Sequence, residues 1–77
     1  MLETAPITKT YKLIDDDKTV ICIEEVEAIL YLDIYIEMEK RVYYVRFYLK
    51  SGSFYDSKRF DTREEAVKFS ETIMGWW

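Results

Sequence analysis

Histidine is absent from the 77-residue chain. That removes Ser-His-Asp and Cys-His catalysis, histidine metal sites and the commonest general base. Cys22 is the single cysteine, so no internal disulfide and no multi-thiolate zinc site can form, and an oxidising compartment is not required. Two glycines and one proline leave little room for flexible linkers. No Gly-rich phosphate loop or Walker motif occurs. Long hydrophobic runs are also missing: the most apolar stretch, Ala28 to Ile36, is interrupted by Asp33 and is too short to span a bilayer. The opening MLETAPITKT has no basic region followed by an apolar core, so it does not read as a signal peptide. These absences lead to the expectation of a cytoplasmic protein with no cofactor, no metal and no membrane association.

Hydrophobic residues make up 49% of the chain and aromatics 17%, with seven tyrosines. That is too apolar for a disordered chain, and tyrosine favours pleated, half-exposed surface. The length allows one core in one domain, expected over residues 9–77, with residues 1–8 as a flexible arm. The formal charge of −4 favours solubility and argues against a dedicated duplex-DNA binder, whose affinity comes from neutralising phosphates.

Thr10 to Ile14 and Thr19 to Ile23 read as a hairpin, with Asp15-Asp16-Asp17 supplying turn chemistry. From Val26 to Met38 every even position is apolar (Ala28, Leu30, Leu32, Ile34, Ile36, Met38). Period two predicts a long strand with that row buried. Val42 to Lys50 predicts a second, with Tyr43, Val45, Phe47 and Leu49 inward. Ser51-Gly52 suits a two-residue hairpin loop, followed by a short strand to Phe60. Thr62 with Glu65 forms a capping box, Ala66, Val67, Phe69, Ser70, Ile73 and Met74 give one helical face, and Gly75 is a helix stop.

Taking Glu39-Lys40 as the loop places Ile36, Ile34, Leu32 and Leu30 opposite Tyr43, Val45, Phe47 and Leu49. On the other face Asp33 then meets Arg46 between two tyrosine pairs, each combination favourable by about 0.2–1 kcal/mol. A loop one residue longer would oppose each apolar row to a polar one. The expected fold is α+β: an antiparallel β-meander of four to five strands with one C-terminal α-helix packed on one face. The helix would cover Leu30, Leu32, Ile34, Val45, Phe47 and Leu49. The opposite face would carry Tyr31, Tyr35, Tyr44, Tyr48 and Tyr55, with Arg46, Lys50 and Arg59 among them.

Catalytic candidates are few. Cys22 shares a strand face with Val20 and reads as a buried, inert thiol. Asp15 to Asp17 lack the spaced ligands of a calcium loop and read as a solvated turn. Glu24, Glu25 and Glu27 read as a strand edge protected by charge, or as a negative patch for a basic partner groove. Enzyme activity is not expected. Trp76 and Trp77 are expected to pack back on the core.

The tyrosine face remains. Tyr and Arg are enriched at protein-interface hot spots, and large apolar patches are normally covered. Aromatic rings with basic residues between them also suit stacked, unpaired bases. Long antiparallel strands followed by one C-terminal helix resemble the topology of single-stranded-DNA-binding transcription cofactors. Size, acidity and the lack of catalytic groups resemble the inhibitors that phages and mobile elements encode against host enzymes, the anti-CRISPR class among them. The leading expectation is a protein-binding inhibitor or regulator. The alternatives are single-stranded nucleic-acid binding and homodimerisation through the same face. The candidate surface is Tyr31, Tyr35, Tyr44, Arg46, Tyr48, Lys50, Tyr55 and Arg59.

Overall fold

The computed structural model describes residues 9–16, 18–37 and 40–76. The expected arm at residues 1–8 lies outside the described residues. Five antiparallel strands and one helix give an α+β arrangement: β1 (Tyr11–Asp15), β2 (Thr19–Cys22), a 3-10 turn (Ile23–Glu25), β3 (Val26–Ile36), β4 (Lys40–Leu49), β5 (Phe54–Asp56) and α1 (Arg63–Met74). The strands form two sheets, β1-β2 and β3-β4-β5, rather than one meander. The 3-10 turn interrupts pairing where Glu24-Glu25 stand.

In the first hairpin the Lys18 N–H donates to the Asp15 carbonyl at 2.6 Å, and Asp16 takes φ +30°, a region Asp tolerates better than most residues. A register irregularity between Leu13 and Asp15 accompanies the burial of Ile14 beside Ile21. The Lys58 N–H donates to the Ile14 carbonyl at 2.7 Å, which ties the hairpin to the rest of the chain.

The long pair β3-β4 departs from the expected register. Ile36 pairs with Lys40, Asp33 with Tyr43, Tyr31 with Val45, and Ile29 with Phe47. The connection is therefore residues 37–39, with Glu37 at φ +53°, and not Glu39-Lys40. A three-residue connection reverses the parity of the pairing, because side chains alternate faces with period two. Val45 and Phe47 are fully buried against Ala66, Ile73, Ile14 and Ile21, and Ile29, Tyr31 and Tyr43 pack on that cluster. The odd row of β3 is thus the inner one. Leu30, Leu32 and Ile34, expected under the helix, face the opposite way. A bulge between Val26 and Ala28 lets both Val26 and Ile29 turn towards the core, which an unbroken strand would forbid.

The next connection is also longer than expected. The Leu49 N–H donates to the Ser53 carbonyl and the Gly52 N–H to the Leu49 carbonyl. Lys50, Ser51 and Gly52 thus form a three-residue loop that ends on Gly52 at φ +97°, where glycine carries no Cβ penalty. The pairing moves by one: Tyr48 meets Phe54, Phe47 meets Tyr55, and Arg46 meets Asp56.

The helix matches its sequence signals. Thr62 Oγ1 accepts from the Glu65 N–H and donates to Glu65 Oε1, each at 3.1 Å. At the other end Gly75 takes φ +75° and the Trp76 N–H donates to the Glu71 carbonyl at 2.9 Å, a Schellman closure. Ala66, Ser70 and Ile73 are its buried residues. Phe60 and Phe69 stack at 5.1 Å between centroids at its flank. The helix lies mainly across β4. Among the described residues no helix is long and apolar enough to cross a membrane.

Candidate binding surface

One face of the three-stranded sheet carries the helix and the buried side of the first hairpin; the other is left open by the described residues except near one end, where the turn residues Asp15, Asp16 and Lys18 border a cleft with Ile34 and Tyr44. The register decides the chemistry of the open face. Even positions of β3 present Ala28, Leu30, Leu32, Ile34 and Ile36. Beside them on β4 stand Lys40, Val42, Tyr44, Arg46 and Tyr48, and on β5 Phe54 and Asp56. Leu30 is 46% exposed and Phe54 48%, Leu32, Ile34, Ile36, Tyr44 and Tyr48 are half-buried, and Val42 is buried.

The charged pair at its centre is internally satisfied, and Lys40 at its end pairs with Asp61 at 2.9 Å. Arg46 Nε donates to Asp56 Oδ1 at 2.7 Å and Nη2 to Oδ2 at 3.2 Å, a two-point contact that Arg geometry favours. The guanidinium also lies 4.3 Å from the Phe54 ring centroid, within cation–π range. Phe54 in turn meets Tyr48 at 5.5 Å with tilted rings. The bond to Asp56, followed by one to Tyr48, holds Arg46 still more firmly protonated than a free arginine. The centre of the face is therefore apolar and electrically neutral.

The eight expected surface residues do not stay together. Tyr44, Arg46 and Tyr48 lie on the open face. Tyr31 lies on the inner one, where its Oη is 2.6 Å from Ser70 Oγ. Tyr35 shares that inner row beyond the helix and is 62% exposed. Its hydroxyl accepts from Arg41, whose guanidinium sits 4.5 Å over the ring. Arg41 also pairs with Asp33 at 3.1 Å; the expected Asp33–Arg46 pair is not formed. Tyr55 opposes Phe47 on the inner row and remains exposed. Lys50 stands in the exposed β4-β5 loop. Arg59 lines an open cleft of about 610 Å³ with Ile34, Tyr44, Lys58, Asp15 and Lys18. Tyr31, Tyr48 and Tyr55, expected on one face, are thus split between two. Sequence reasoning missed Leu30, Leu32, Ile34, Ile36, Phe54 and Asp56 as open-face residues. Both rows of β3 are rich in apolar groups, so only the loop length separates the alternatives.

Other candidates are also relocated. Cys22 pairs opposite Tyr11 on the outer side of the first hairpin and is half-buried, not buried; its thiol donates to Glu24 Oε1 at 3.5 Å. Tyr11, Leu13 and Val20 are exposed on that side. The Thr10 N–H donates to Glu24 Oε1 at 2.8 Å, and this bond holds the Glu24 carboxyl below the usual glutamate range. Trp76, expected to pack inward, is 54% exposed; Trp77 lies outside the described residues. Among the described residues no three His, Cys, Asp or Glu side chains converge as metal ligands would.

Comparison with protein-family models, curated proteins and solved structures finds no match.

Proposed function

We propose that the chain is a small non-enzymatic module that binds another protein, as an inhibitor or regulator, through the open face of the three-stranded sheet. The observation that supports this reading is the row Leu30, Leu32, Ile34 and Ile36 beside Tyr44, Tyr48 and Phe54, over which no described element packs. Contiguous exposed apolar surface of this kind is normally covered, and each Å² of its remaining apolar area removed from water contributes about 25 cal/mol. The partner is expected to present an apolar, uncharged surface, because Arg46 and Asp56 cancel at the centre.

That neutrality weighs against single-stranded nucleic acid as the ligand of Tyr44, Arg46, Tyr48, Lys50 and Arg59. Arg46 is already engaged, and the neighbouring aliphatic row stacks no bases. A second reading, a homodimer through the same face, draws support from the same lack of charge, since a neutral face meets its own copy without repulsion.

The test compares wild type with Leu30→Lys and Leu32→Lys, after circular dichroism shows all three folded. A partner held by wild type and released by both variants supports the reading. Retention by both variants counts against this face. Sedimentation near twice the 9.3 kDa chain mass, abolished by the same variants, selects the homodimer. Oligonucleotide binding that falls steeply with salt selects the nucleic-acid reading.

A further inference from the structure

A second surface lies on the opposite side of the sheet. Among the described residues β3 pairs only with β4, so its other edge offers unpaired backbone groups along 11 residues. Such an edge is a template for another strand. β3 contains no proline, lysine or arginine; its blunting features are the bulge near Val26 and the acids Glu27 and Asp33, and Asp33 is neutralised by Arg41. The helix lies over β4 more than over β3, which leaves a groove between this edge and α1.

Two clefts lie along that groove. The first, about 300 Å³, is walled by Val26, Ala28, Ile29, Met74 and Trp76. The second, about 130 Å³, is walled by Tyr31, Asp33, Tyr43 and Arg63. Tyr31 borders both. Their chemistry differs. The first is mostly apolar, with the Trp76 indole at its rim and Glu27 at one side. In the second, Asp33 is paired with Arg41, while Arg63 makes no ion pair with a described residue and lies 5.6 Å from the Tyr31 ring centroid. The second cleft therefore offers a cation.

We propose that an extended peptide segment of a partner protein adds to the β3 edge and lies in this groove. Its inward side chains alternate with period two. One apolar side chain enters the Val26–Ile29–Met74–Trp76 cleft, and an Asp or Glu about two or four positions away meets Arg63. Main-chain bonds to the edge supply affinity and the two clefts supply selectivity, as in other strand-addition complexes. Glu27 disfavours a second acid at the apolar end. This surface meets the open face only along the β3 edge, where Ala28 and Leu32 border both, and the proposal does not rest on the function proposed above.

The probe is a display library of random twelve-residue peptides selected on the full chain, with the best sequence synthesised and titrated by fluorescence anisotropy. Recovered peptides should share the apolar and acidic spacing. Binding should weaken by about tenfold or more in Arg63→Glu and recover when the peptide's acid is replaced by lysine. It should weaken in Trp76→Ala and protect β3 amides from hydrogen exchange. Both variants change exposed positions, and an acidic residue in the first helical turn is favourable, so both are expected to fold. Recovery of no peptide would overturn the proposal. So would binding indifferent to both variants, or binding lost in Leu30→Lys instead. A chain that dimerises alone with its β3 amides already protected would assign the edge to a second copy and overturn it equally.

Discussion

Tyr31 Oη lies 2.6 Å from Ser70 Oγ, which joins the middle of β3 to the buried side of α1. Ser70 donates to the Val67 carbonyl at 2.8 Å, so Tyr31 is the donor in the pair. The bond marks the odd row of β3 as the inner row. Tyr31→Phe should lower stability by about 0.5–1.5 kcal/mol, read from the urea midpoint at unchanged slope. A tyrosine on a wet sheet face would give a change within about 0.5 kcal/mol.

The two rows of the long strands should respond differently to substitution. Phe47→Ala removes a fully buried ring and should cost about 3–5 kcal/mol, enough to unfold a chain of this size. Leu30→Lys changes a half-exposed side chain on the open face and should cost no more than about 1 kcal/mol. Chemical unfolding of the two variants side by side provides the comparison.

Both helix ends rest on single residues. Thr62→Ala removes the acceptor for the Glu65 N–H and should cost about 0.5–2 kcal/mol. Gly75→Ala places a Cβ at φ +75° where nothing lies within 4 Å, so only backbone strain opposes it, at about 1 kcal/mol. Thermal unfolding with amide exchange at each end separates the two effects.

Glu24 should impose an acid-side dependence on stability. Its folded-state carboxyl is held below the ordinary value by the Thr10 N–H. A depressed carboxyl stabilises the fold above its unfolded value and loses that contribution as pH falls through the folded one. The stability difference between wild type and Glu24→Gln should therefore be steady near neutrality and shrink below about pH 4.

Much of the fold is legible in the sequence because local chemistry dictates it. The strands β3 and β4 follow from period-two alternation, and α1 from Thr62, Glu65 and Gly75. The side of β3 that faces the core is not local. It depends on whether the connection is the two residues Glu39-Lys40 or the three residues 37–39, and Glu37 at φ +53° has no glycine or asparagine to announce it. That one-residue difference moves Tyr31 beneath the helix and Leu30, Leu32 and Ile34 into the open. The same physics operates at Lys50-Ser51-Gly52, where the third loop residue sets Phe54 opposite Tyr48 and turns Tyr55 to the inner row. Of the expected surface, Tyr44, Arg46 and Tyr48 lie on the open face because β4 kept its faces; Tyr31, Tyr35 and Tyr55 do not because their strands shifted against it.

The most direct test of the open apolar face is the β3-β4 register, read from cross-strand nuclear Overhauser contacts in isotope-labelled protein. The expected result is Tyr31 opposite Val45 and Asp33 opposite Tyr43, with Leu30 and Leu32 side chains in contact with Arg46 and Tyr44. Contacts that place Ile34 opposite Val45 and Leu32 opposite Phe47 would return the aliphatic row to the core and contradict the proposed docking face.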